Sequence, residues 1–100
     1  MVNNMNCNSF LKIYERNLSI IDIRDSEDYD ESHIPGSINV SHIDLVLDPS
    51  AYLEEGVINY IICDEGITSA NVIKMIKGNY LLINIIDGYV NWRGPVIEKV

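Results

Sequence analysis

A chain of 100 residues has room for one compact domain, and 47% hydrophobic against 22% charged residues makes it too apolar to stay disordered. Its longest apolar runs, Val57–Cys63 and Leu81–Ile86, fall far short of the roughly 18 residues of a membrane-spanning helix. With 15 Asp and Glu against 7 Lys and Arg, the net charge is −8, and the cations are scattered singly, which leaves no positive footprint for nucleic acid or an anionic membrane.

The N-terminal residues Met1–Asn6 lack a basic region followed by an apolar core, so no secretory signal is read there, and a soluble cytoplasmic protein is expected. No repeat or low-complexity linker divides residues 1–100, which read as one domain. In chain order, Ser9–Arg16 predicts a helix with Ser9 as its N-cap. Leu18–Ile23 predicts a buried strand, and the acidic Ser26–Ser32 a short helix capped by Asp25 or Ser26. His33-Ile34-Pro35-Gly36 signals a turn before a short strand at Ser37–Val40. Ser41–Leu47 reads as a helix ended by Asp48-Pro49, with a second helical turn at Ser50–Glu54.

Val57–Cys63 is the strongest strand, apolar enough to be covered on both faces. Asp64–Thr68 reads as a loop, Ser69–Lys77 as a helix stopped by Gly78, and Leu81–Ile86 as another buried strand. Asp87-Gly88 then turns into Tyr89–Arg93. Helices thus alternate with doubly covered strands, the pattern of an α/β sandwich around a mainly parallel sheet, whose sites form beyond the carboxyl ends of the strands.

Cys7 and Cys63 are the two cysteines, too far apart in sequence and too few for a disulfide framework. Cys7 reads as a small buried hydrophobe. Cys63 ends the strongest strand one short loop before a helix, where inward-turned backbone N–H groups and the positive helix end form an anion nest. Such a cradle stabilises a thiolate and lowers a thiol below its usual value of about 8.5. Gly66 gives the loop its freedom to curl, and Thr68 and Ser69 offer hydroxyls. From geometry alone, a reactive thiol and a structural core cysteine both remain open.

Three segments carry a resemblance. They are Ile21-Asp22-Ile23-Arg24-Asp25 with His33-Ile34-Pro35-Gly36-Ser37-Ile38-Asn39-Val40, the loop Cys63-x-x-Gly66-x-Thr68-Ser69-Ala70, and Asp87-Gly88-Tyr89-Val90-Asn91-Trp92 followed by Pro95-Val96. In this order they resemble the rhodanese-like family. Ser32 and Ser37 stand where the family usually has glycine and alanine.

The resemblance implies a rhodanese-like three-layer sandwich with a five-stranded, mainly parallel sheet flanked by helices. It also implies sulfurtransferase chemistry. Catalytic Cys63 takes the outer sulfur of a donor as a persulfide, cradled by the substrate-binding loop Asp64, Glu65, Gly66, Ile67, Thr68 and Ser69. A thiol or cyanide then takes the sulfur away. Donor and acceptor are small molecules or a protein persulfide carrier. No cofactor is implied, and His33 and His42 have no partners at metal-ligand spacing.

The loop departs from the family at Thr68, where a basic residue is usual, and it carries Asp64 and Glu65 instead. Those carboxylates repel anions, so thiosulfate is expected to be a poor donor and a neutral or protein-bound persulfide the better one. A Cys-x5-Arg phosphatase is excluded, because the sixth position after Cys63 is Ser69 and no arginine lies in Asp64–Lys77. The rival reading is a non-catalytic binding or regulatory module. Asp22, Arg24 and His33 read as structural support: an ion pair at the strand end and a hydrogen-bonded turn. Trp92 and Tyr89 read as core or rim packing. The acidic run Asp25–Glu31 reads as a solvated helix face, with a docking surface as its alternative.

Overall fold

The computed structural model describes residues 2–100. Five short strands form one wholly parallel sheet: β1 (Asn4–Met5), β2 (Ser19–Asp22), β4 (Ile38–Asn39), β5 (Ile58–Ile62) and β6 (Leu81–Ile85), in the order β1-β6-β5-β2-β4. The helices are α1 (Cys7–Ile13), α2 (Ser26–Glu31), α3 (His42–Leu47) and α4 (Ile67–Met75). A small antiparallel ribbon pairs β3 (Ser32–His33) with β7 (Ile97–Glu98). Thus the mainly parallel five-stranded α/β sandwich is the architecture found.

The central strand β5 shows why the chain folds this way. Its alternate residues enter different apolar clusters, Tyr60 and Ile62 one, Ile61 and the adjoining Cys63 the other. The first cluster packs Phe10 of α1 with Ile20, Ile34, Ile85 and Trp92. The second packs Ile21, Val40, Leu45 of α3 and Val72 of α4. Period-two alternation with both sides apolar is what a doubly covered parallel strand requires.

Several boundaries differ from expectation. The first helix starts at Cys7 instead of Ser9 and stops at Ile13 instead of Arg16. Asn6 takes the cap, its side-chain oxygen accepting the Ser9 N–H at 2.8 Å, while the Asp87 carboxylate accepts the Cys7 N–H at 2.8 Å. Those two bonds satisfy orphan amides that a helix starting at Ser9 would not need to place. The expected turn at Ser50–Glu54 is a 3-10 turn over Pro49–Ala51. Strand β1 and the β3–β7 ribbon had no sequence signal, being two residues long in each strand. Most relevant to the site, α4 begins at Ile67, so Ile67 and Thr68 belong to a helix and not to the expected loop. Its last residue is Met75, because Ile76 turns extended and packs against the second cluster before Gly78 is reached.

Candidate active site

The strands are parallel, so β2, β5 and β6 all end on one side of the sheet, and that side holds Cys63. The connection from β5 to α4 needs only Cys63 to Gly66. Gly66 makes the sharp bend with φ +83°, a left-handed conformation that a side chain rarely adopts. A Cβ there would also lie 1.9 Å from the Ile86 carbonyl oxygen. Both facts require glycine.

The bend points main-chain donors at the sulfur. Cys63 Sγ accepts the Gly66 N–H at 3.1 Å and the Ser69 N–H at 3.3 Å. Ser69 is the third residue of α4, so its amide is one of the first-turn donors that find no acceptor inside the helix. The thiol in turn donates to Ser69 Oγ at 3.1 Å. Cys63 is 4% exposed, yet it lines a cavity of about 550 Å3 shared with Ile23, Arg24, Asp25, His42, Asp64, Glu65, Ile67 and Thr68. The first-turn amides of Ile67 and Thr68 have no hydrogen-bond partner among the described residues. The sulfur therefore sits at the floor of an open pocket, with amides aimed at it.

The loop is held from outside by the turn after β6. The Tyr89 N–H donates to the Cys63 carbonyl at 2.8 Å and the Val90 N–H to the Asp64 carbonyl at 3.2 Å. Gly88 permits that approach, since a Cβ there would stand 2.2 Å from the Asp64 carbonyl oxygen.

Asp22 and Arg24 form a buried pair at the end of β2. Arg24 Nη2 lies 2.7 Å from Asp22 Oδ2, and Arg24 Nε donates to both carboxylate oxygens at 3.0 Å. The guanidinium also donates to the Ser32 carbonyl at 2.7 Å and lies 3.8 Å from the centre of the Tyr89 ring. Burial pushes the Arg24 guanidinium down, but the Asp22 hydrogen bond and charge outweigh it, and its proton is held more tightly than usual. His33 stacks on Tyr29 at 3.9 Å, its Nδ1 within 2.8 Å of the Tyr29 carbonyl, away from the cavity lining. Trp92 is 6% exposed and packs on Phe10 and Tyr14, so it belongs to the core.

Asp64 and Glu65 are exposed on the cavity rim. Desolvation raises the Asp64 carboxyl first, with Asp28 adding to the rise and Arg24 opposing it. Cys7 is 2% exposed and donates to the Gly88 carbonyl at 3.2 Å; burial, then the Asp87 carboxylate, push its thiol up to about 12. Among the described residues no group of three or more His, Cys, Asp or Glu is placed to hold a metal ion.

Two contributors escaped the sequence reading. His42 lines the cavity from the start of α3. Asn84, 1% exposed on β6, accepts the Ser69 hydroxyl and donates to the Gly66 carbonyl at 3.2 Å. A polar residue inside the apolar run Leu81–Ile86 was the signal available for Asn84.

Comparison with known proteins gives the family and the fold. The family model described as "Rhodanese-like domain" matches residues 7–94. A protein of Bacillus subtilis (strain 168) named "Putative sulfur carrier protein YrkF" is 36% identical over 84 residues, covering 80% of this chain; the chain spans only 44% of that protein's length. The rhodanese-like domain protein of Staphylococcus aureus superposes with a TM-score of 0.77 at 21% identity, covering 92% of each chain. The rhodanese-like domain of Anabaena sp Alr3790 does so with a TM-score of 0.80 at 23% identity, covering 100% of this chain and 81% of that one. Those two likenesses carry the fold; the family match, spanning Asp22, Cys63 and Trp92 alike, makes this chain a member of the rhodanese-like domain family.

Proposed function

We propose that this protein is a sulfurtransferase that carries sulfane sulfur on Cys63. The observation that supports it best is the pair of main-chain N–H groups, from Gly66 and Ser69, donating to Sγ at the floor of an open cavity. Oriented amides in a partly desolvated site stabilise negative charge without reorganising, and a stabilised thiolate is the form that attacks. The thiolate attacks the outer sulfur of a donor persulfide, a new S–S bond forms, and the donor leaves as its thiolate. An acceptor thiolate then attacks the outer sulfur on Cys63, takes it as a persulfide and returns the Cys63 thiolate. Electrons balance in both steps, and no oxidant or reductant is consumed. The unpartnered Ile67 and Thr68 amides are the donors assigned to the outer sulfur.

Specificity follows from the rim. Asp25, Asp64 and Glu65 line the entrance, and the one arginine there is already neutralised by Asp22. Thiosulfate, doubly negative, is disfavoured; an uncharged persulfide, or one presented by a basic protein, is the donor that fits. The test is mass spectrometry after incubation with a small persulfide donor. One added sulfur on the wild type and none on Cys63→Ser is the expected result. No adduct with either small or protein-bound donors would leave a docking module in place of a transferase.

A further inference from the structure

Asn84 is a buried amide in the middle of β6, and its hydrogen bonds leave no freedom in how it points. Its Nδ2 donates to the Gly66 carbonyl at 3.2 Å and to Asn4 Oδ1 at 3.1 Å. A backbone carbonyl can only accept, so the amide nitrogen must face Gly66 and Oδ1 must face Ser69. Oδ1 therefore takes the Ser69 hydroxyl proton, and the Ser69 oxygen is left to accept the Cys63 S–H.

That arrangement suits a protonated thiol and opposes a thiolate. Once Sγ carries the charge, it becomes the stronger acceptor for the Ser69 hydroxyl. If the hydroxyl turns to the sulfur, Oδ1 is stranded without a donor in a site with almost no water access. If it stays, the thiolate does without that donor. In the persulfide the inner sulfur is bonded to sulfur and carries little charge, so the hydroxyl bond to Oδ1 is kept. The Gly66 amide is placed independently, by the left-handed bend and the close Ile86 backbone.

We propose that Asn84 is a positioning residue that withholds the Ser69 hydroxyl from Sγ, favouring thiol and persulfide over thiolate and so keeping the thiolate reactive. Its purpose rests on the sulfur-transfer reading, but its detection does not.

The experiment is the rate–pH profile of Cys63 alkylation by iodoacetamide in the wild type, Asn84→Val, Ser69→Ala and the double variant, with thermal melts of each. Valine approximates asparagine in size and suits a strand; Asn84→Ala is the second choice if it fails to fold. Asn84→Val is expected to move the profile to lower pH, with alkylation on the rising limb about three- to tenfold faster, the worth of one hydrogen bond. Ser69→Ala removes the oxygen that accepts the Cys63 S–H while its hydroxyl was already withheld from Sγ, so it is expected to move the profile to lower pH as well, and adding Asn84→Val to Ser69→Ala to change nothing further. A general loosening of the loop would act whether or not Ser69 is present. An unmoved or upward profile in folded Asn84→Val, or an equal shift without Ser69, overturns the role. Sulfur loading of the same wild-type sample separates the two claims. Expected shifts without loading sink the transfer reading and keep Asn84; loading with flat profiles does the reverse.

Discussion

Two cysteines of one chain meet different environments: both thiols donate a hydrogen bond, but only the Cys63 sulfur also accepts them. Cys63 Sγ accepts from two amides, whereas Cys7 donates to a carbonyl and has a carboxylate beside it. Iodoacetamide at neutral pH is therefore predicted to modify wild-type protein once and Cys63→Ser not at all, counted by mass spectrometry. Cys7 also leaves a mark on stability. Burial and Asp87 push its thiol up to about 12, well above an ordinary thiol, so its contribution is fully present below the ordinary thiol value and is lost as pH rises toward 12. Denaturation midpoints of the wild type should fall across that window, and those of Cys7→Ala should fall less steeply.

At the scale of elements, the site depends on how β5 passes into α4 and how β2 is terminated. Gly66→Ala forces a left-handed alanine against the Ile86 carbonyl, and a loss of about 2 kcal/mol or more is expected in chemical denaturation, with sulfur loading abolished. Arg24→Met leaves Asp22 charged and fully buried, for which about 3–5 kcal/mol is expected. The strands and the position of Cys63 were legible because long apolar runs flanked by turn residues admit few alternatives. The start of α4 was not, since Ile67 and Thr68 are poor helix-start residues and only the Gly66 bend puts them in a helix. Likewise β1 and β7 pair by position in the fold and not by their own propensity. Asn84 and His42 join the site through folding of distant segments, which spacing along the chain does not encode.

Over the whole molecule, the excess of acid and the acidic cavity rim act on the same substrates. Among the described residues no helix is long and apolar enough to cross a membrane. Net charge −8 and the carboxylates Asp25, Asp64 and Glu65 predict that transfer from a basic protein donor slows as salt is raised, while transfer from an uncharged donor does not. Asp64 is raised by desolvation and by Asp28, so it is neutralised at higher pH than an ordinary carboxyl. Relative use of thiosulfate should then increase as pH falls, beginning at a higher pH than an ordinary carboxyl would give. Asp64→Asn should show roughly two- to fivefold better thiosulfate use at neutral pH and lose that part of the pH dependence.

The most direct trial of sulfur carriage is a single-turnover chase. Protein loaded with radiolabelled sulfane sulfur and freed of donor is mixed with an excess of a small thiol. Label leaving Cys63 and appearing quantitatively as the thiol's persulfide is the predicted result. Label that never loads, or that stays on the protein through the chase, would contradict a transferase built on this cradle.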